Sequence, residues 1–286
     1  QTHHRKRITC GDWNADDKFA FASEDKQVTV ITSDGKPIGQ VKVKSRPTNV
    51  LFGGDGTAPG NIAAVSMDRK TILLYNLDDP NNASELAFQP KYGKIVSFKW
   101  FSEGYAVVGF SAGFLVIIST NAEEVGQEQF CAKFHKDELR SLVYCQKRQK
   151  VATCGLYCVK VVDMHDWKKE SSPQNGFPFR HETRHLDPSQ GVLSDLQWTR
   201  DGEILSVSSK SGYLHAFRVK RSDLERKEEE RGRIVLSKVV CVRMGCSSLI
   251  VFFGLSILAF LSIWSYVLKV SLCDLLRVLF YDIPML

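Results

Sequence analysis

Between Ile95 and Thr120 apolar and polar positions alternate in short runs broken by tight turns. In Ile95–Trp100 every second side chain points the same way, with Val96, Phe98 and Trp100 sharing one face. A turn at residues 102–104 leads into the apolar run Tyr105–Phe110, and a second at 111–113 leads into Phe114–Ile118. Runs of about four to eight residues rich in valine, isoleucine and aromatics, bounded by glycine and serine, predict strands. Nothing in this stretch has the length or the three-to-four spacing of an amphipathic helix.

The pattern recurs. Strand-like segments ending in an aromatic occur at Ile8–Trp13, Pro47–Phe52, Ile95–Trp100, Leu139–Tyr144 and Leu193–Trp198, with aromatic-to-aromatic steps of 39, 48, 44 and 54 residues. Each is followed by a turn and by a second strand, and in four of them a hairpin then leads to alternating apolar residues: Val28/Val30, Ile72/Leu74, Leu115/Ile117 and Val159/Val161. A step of about 40–45 residues with about four strands per unit is the period of a propeller blade. The longer steps coincide with the loop-like stretches 77–92 and 168–189, which are rich in Gly, Pro, Asn or Ser. The fold class predicted is all-β: a partial propeller of about five blades over residues 1–219.

At these positions the chain resembles the WD-repeat family in a diverged form. His4 lies nine residues before Trp13 and His135 nine before Tyr144, as in the family pattern. Asp25 and Asp68 take the place of the family's turn aspartate, whose implied role is a hydrogen bond tying the turn to the histidine. The repeat positions are thus His4, Trp13, Asp25, Phe52, Asp68, Trp100, His135, Tyr144 and Trp198, all expected to be structural, because repeat units need one another to bury a core. The runs Lys6–Asn14, Gly109–Thr120 with Gly126–Phe130, and His135–Ser141 with Lys150–Gly155 narrow the likeness. They are similar to the WD repeat-containing protein 19 family, the WD-repeat subunit of intraflagellar transport complex A. The resemblance covers about residues 2–219. It implies a ciliary and cytosolic scaffold for retrograde transport, cilium assembly and ciliary entry of membrane cargo. The partners it implies are other subunits of that complex and cargo adaptors. Members are longer at both ends, so the chain, which starts at Gln1 without a signal peptide, reads as a piece of a longer protein.

Composition changes the picture mainly at the C-terminus. Apolar content of 43% and charge of 24% suit a globular chain. The net charge of +6 is too mild to argue for nucleic-acid binding. After residue 219 the family likeness stops. Residues 220–243 begin with a dense mixed-charge run and read as a charged linker. Residues 244–268 lack Asp, Glu, Lys and Arg, long enough for a membrane-spanning helix, and 269–286 form a short tail. More bases before that segment than after it would keep the repeats on the cytosolic side. Two readings of the tail stay open: a membrane anchor for a β-propeller adaptor outside cilia, or sequence of other origin joined where the family pattern ends.

No catalytic constellation is expected, and no cofactor or metal. His165 sits between Asp163 and Asp166 at the end of a predicted strand, where such residues are normally solvated. His181 and His185 have a spacing that suits zinc on a helix, but their surroundings read as a Pro-rich loop. Cys154 and Cys158 flank a hairpin turn without two further ligands, and the eight cysteines read as reduced thiols. Residues 53–56 are glycine-rich but lack the lysine and helix of a phosphate loop. Five units leave two sheet edges uncovered, which predicts an arc whose end blades are the least ordered.

Overall fold

The computed structural model describes residues 4–53, 61–101, 104–165, 167, 181–221 and 234–243. They form twenty strands in five four-stranded antiparallel sheets, each made of consecutive strands. Blade 1 comprises β1 (Ile8–Trp13), β2 (Lys18–Ser23), β3 (Gln27–Thr32) and β4 (Pro37–Lys42). Blade 2 comprises β5 (Pro47–Phe52), β6 (Ile62–Met67), β7 (Thr71–Asn76) and β8 (Ser84–Ala87). Blade 3 is β9 (Ile95–Trp100), β10 (Tyr105–Phe110), β11 (Phe114–Ser119) and β12 (Glu128–Lys133). Blade 4 is β13 (Ser141–Cys145), β14 (Lys150–Cys154), β15 (Cys158–Asp163) and β16 (His181–His185). Blade 5 is β17 (Leu193–Trp198), β18 (Ile204–Ser209), β19 (Tyr213–Arg221) and β20 (Ile234–Arg243).

The two-residue alternation along the middle strands decides which blade each side chain meets. In blade 3, Val107, Leu115 and Ile117 pack with Leu142, Val151 and Val162 of blade 4. Their sequence neighbours Val108, Val116 and Ile118 turn to the opposite face and pack with Ala64, Ile72 and Leu74 of blade 2. A strand buried on both faces therefore reads as a continuous apolar run, as β10 and β11 do. Blades 1 and 2 meet through Ala20, Ala22, Val28, Val50 and Val65. Blades 4 and 5 meet through Ala152, Val159, Leu196, Leu205 and Phe217. Among the described residues no such cluster joins blade 5 back to blade 1, so the row formed by these residues is open. The first strands of the sheets line its inner side, where β1 lies beside β5, and β13 beside both β9 and β17.

Two expectations change here. Residues 220–243, read as linker, contribute Lys220 and Arg221 to β19 and the whole of β20. The ladder runs from Tyr213↔Arg243 to Arg221↔Ile234 and gives blade 5 its fourth strand. The charged run masked an alternating stretch, Ile234–Arg243, whose Leu236 is 1% exposed in the core between blades 4 and 5. The stretch holding His181 and His185 is the outer strand β16 instead of a loop. The candidate apolar helix at 244–268 lies outside the described residues, as do 269–286. Among the described residues no helix is long and apolar enough to cross a membrane.

Candidate functional site

The turn between the second and third strand of each blade, with the segment entering its first strand, carries the histidine and aspartate positions. In blade 1 the His4 ring nitrogen Nδ1 lies 3.1 Å from both carboxylate oxygens of Asp25. The Arg5 backbone N–H donates to the same carboxylate at 2.9 Å. Burial alone would raise the Asp25 pKa, but the Arg5 amide, the His4 ring and the Ser23 hydroxyl outweigh it and hold the carboxyl below its usual range. A three-residue loop produces this geometry: Lys26, at φ 64°, closes the turn with an N–H···O bond to Ser23 of 3.0 Å.

Blade 2 lacks the pair. Its turn puts both Asp68 (φ 48°) and Arg69 (φ 59°) in the left-handed region. The Asp68 N–H donates to the Arg46 carbonyl just as the Glu24 N–H donates to that of Arg7. Asp68 therefore matches Glu24, and Arg69 takes the Asp25 position, donating from Nε to the Ile95 carbonyl at 2.8 Å. Nine residues before Phe52, where the histidine would be, stands Val43, 4% exposed in the core. With no ring to hold, the aspartate is one position early and bonds to none. In blade 4, His135 is 3% exposed. Its Nε2 lies 2.9 Å from the Thr153 hydroxyl and its Nδ1 3.3 Å from the Cys158 sulfur. A threonine and a thiol thus stand in for the aspartate, and neither was visible in the spacing of the sequence.

The five aromatic positions follow one rule. Each side chain at the end of a first strand faces the preceding blade. Phe52 (4% exposed) packs on blade 1 and Trp100 (6%) on blade 2. Tyr144 meets Phe101 of blade 3 edge-on at 5.3 Å, and Trp198 packs with blade 4. Among the described residues no sheet precedes blade 1. Trp13 is accordingly 54% exposed, its ring resting on Phe19 of its own sheet at 4.8 Å. Polar bonds across the blade seams accompany the apolar ones. Asp12 Oδ2 accepts from the Phe52 N–H, the Ser97 hydroxyl donates to the Leu142 carbonyl, and the Ser141 hydroxyl donates to Asp195 Oδ1.

The remaining candidates are engaged in the scaffold. Asp163 pairs with Lys150 at 3.0 Å and accepts from the His165 N–H, while the His165 ring bonds Gln149; Asp166 lies outside the described residues. His181 and His185 pair with Val162 and Cys158 on an extended strand, so the four-residue step between them separates their Cα atoms by about 13 Å. Cys154 is pushed up to about 12, by burial first and by Asp195 second, and is a packed thiol rather than a nucleophile. Cys158 is raised as well, chiefly by burial. The glycine-rich loop lies outside the described residues beyond Gly53. Among the described residues no three His, Cys, Asp or Glu side chains are grouped to hold a metal ion.

Comparison with known proteins agrees with this architecture. The family model of the WDR19 first beta-propeller matches residues 1–212. Human WD repeat-containing protein 19 is 39% identical over 222 residues, which cover 76% of this chain and 16% of that protein. WD repeat-containing protein dyf-2 of Caenorhabditis elegans is 29% identical over 227 residues, covering 77% of this chain and 15% of the relative. The chain thus spans about a sixth of the length of these relatives. Among solved structures, the beta-propeller domain of Cps50 (Swd1) from Myceliophteria thermophila superposes with a TM-score of 0.61 at 15% identity. It covers 85% of this chain and 75% of that one, a likeness of fold alone.

Proposed function

The chain belongs to the WDR19 first beta-propeller family, and we propose that its repeats serve as a non-catalytic scaffold of intraflagellar transport complex A. In this role the blades hold other subunits of the complex and ciliary cargo adaptors. They support retrograde transport, cilium assembly and the entry of membrane cargo, in the cilium and the cytoplasm. The observation that carries the reading is the family match over residues 1–212, on a fold in which His4, His135, Asp12 and Asp195 are taken up in turn and blade-to-blade bonds. Side chains consumed in this way are not free to converge on a substrate, so binding by shape and charge is the work left to the molecule. A membrane-anchored adaptor outside cilia would depend on residues 244–268, which lie outside the described residues.

The test is co-purification from ciliated cells. The tagged chain, set in the full-length protein of its family, is expected to bring down other subunits of the transport complex. Recovery of the tagged protein alone, folded and in the cilium, would overturn the assignment.

A further inference from the structure

The inner strands pack side by side between blades 1 and 2, 3 and 4, and 4 and 5, whereas β5 and β9 approach each other less closely. Between them lies a cleft of about 250 Å³, lined by Thr48, Asn49, Ser66, Arg69, Val96 and Phe98. Ile95, Val96 and Phe98 supply the apolar part of its lining, and Phe98 is 1% exposed. One wall is polar, where the Thr48 hydroxyl bonds that of Ser66 at 3.1 Å. The Asn49 carboxamide has no hydrogen-bond partner among the described residues. Arg69 uses Nε on the Ile95 carbonyl and makes no ion pair among the described residues, which leaves its two terminal nitrogens to spare.

A second observation is independent of the cleft. Each blade has two ends, because its strands alternate in direction. In blades 1 and 2, one end is built from residues 4–7, 24–26, 43–46, 68–70 and 88–94, which hold ten Lys and Arg against three Asp and Glu. The described connections at the opposite end carry Asp16, Asp17, Asp34, Asp78 and Asp79 against Lys36 alone. The cleft belongs to the basic end: β5 and β9 begin there, β6 ends there, and Arg69 is in the turn. Two of the basic side chains are spent on Glu24 and Glu85, by Arg46 and Lys44.

We infer that this cleft is a docking site for an acidic, extended peptide segment that carries one apolar anchor residue. A volume of about 250 Å³ is enough for a single aliphatic side chain beside Ile95 and Val96. The Asn49 amide can pair with peptide backbone, as extended peptides require. Arg69 can take a carboxylate in two parallel bonds, and the surrounding lysines and arginines steer acidic neighbours toward it. Single-stranded nucleic acid would call for exposed aromatic platforms among the bases, and Phe98 is buried. A membrane surface would call for a protruding apolar face, and here the apolar part is recessed. The inference deepens the scaffold reading by naming a partner chemistry, but it stands on purified components, so its failure and that of the ciliary assignment are separable.

The test is fluorescence anisotropy on the full chain with a labelled peptide of about ten residues, glutamates around one central leucine. Saturable binding is expected that weakens at least about tenfold in Arg69→Glu, which corresponds to about 1.4 kcal/mol. Asn49→Ala and a probe with serine for leucine are expected to weaken it as well, and Asp34→Lys at the opposite end to leave it unchanged. Arg69 is exposed in a turn, and an unaltered thermal midpoint of Arg69→Glu shows that its effect is not unfolding. Equal binding by the wild type and Arg69→Glu would overturn the proposal, as would loss of dependence on the leucine. Arg69-dependent binding of a single-stranded oligonucleotide or of phosphatidylserine vesicles in place of the peptide would overturn it too.

Discussion

The two turn histidines do one job with different partners, and the difference has a consequence for pH. His4 is tied to a carboxylate, whereas His135 is enclosed with a hydroxyl and a thiol that carry no compensating charge. Burial, and then the nearby Lys160, depress the His135 pKa from its usual 6.5 to about 4. The unfolded chain takes up this proton near pH 6.5, and the folded chain only near pH 4. Between those values the unfolded state binds more protons, so stability is greatest above pH 6.5 and falls on acidification. The loss is on the order of 3 kcal/mol for this group. His215, also buried and lowered by desolvation and then Lys238, adds a slope of the same sign. Urea unfolding between pH 7.5 and 4.5 should show the decline, and His135→Asn should flatten it. The imidazole spacing was legible in the sequence because histidine is rare and its offset from the aromatic is fixed. Thr153 was not, because nothing in a strand's alternation distinguishes a hydroxyl that meets a ring from one that meets solvent.

At the scale of the element, the first three strands of each blade were readable and the fourth was not. β5, β9 and β17 fall where the aromatic-ended segments put them, since their side chains are sorted by packing against a neighbouring sheet. The outer strands β4 and β12 show little burial on either face, so no apolar stripe marks them. β16 and β20 were misread for the same reason, as loop and linker. Turns carry a stronger constraint than strands. Gly113 in blade 3 has φ 86°, and a Cβ there would be 2.2 Å from the His135 carbonyl oxygen, a backbone atom that also accepts no retreat because the His135 N–H bonds back to Gly113. Gly113→Ala combines a left-handed conformation with a collision. It is expected to destabilise the chain by at least about 2 kcal/mol, read as a lowered denaturant midpoint at unchanged slope.

At the scale of the whole molecule, cohesion passes only between neighbours. Blade 3 is covered on both faces, and Val107, Val108, Leu115, Val116, Ile117 and Ile118 have no solvent exposure. Blades 1 and 5 are each covered on one face by another described sheet. In such arrays local opening costs least at the ends. Amide hydrogen exchange is expected to be slowest in β10 and β11 and progressively faster toward blades 1 and 5; uniform protection across all five sheets would mean that the two end faces are joined. The charge division between the two ends of blades 1 and 2 is also a property of more than one sheet. It was invisible in a net charge of +6, because the bases and acids of these two blades are interleaved along the chain and are sorted to opposite ends only when the strands reverse direction.

The indole of Trp13 gives the open face of blade 1 a second use. Among the described residues Trp100, Trp167 and Trp198 are enclosed or half-enclosed between sheets, and Trp13 is the indole set largely in water. Its emission colour is therefore a built-in optical label for that sheet, responsive to whatever comes to lie on it and indifferent to events elsewhere in the row.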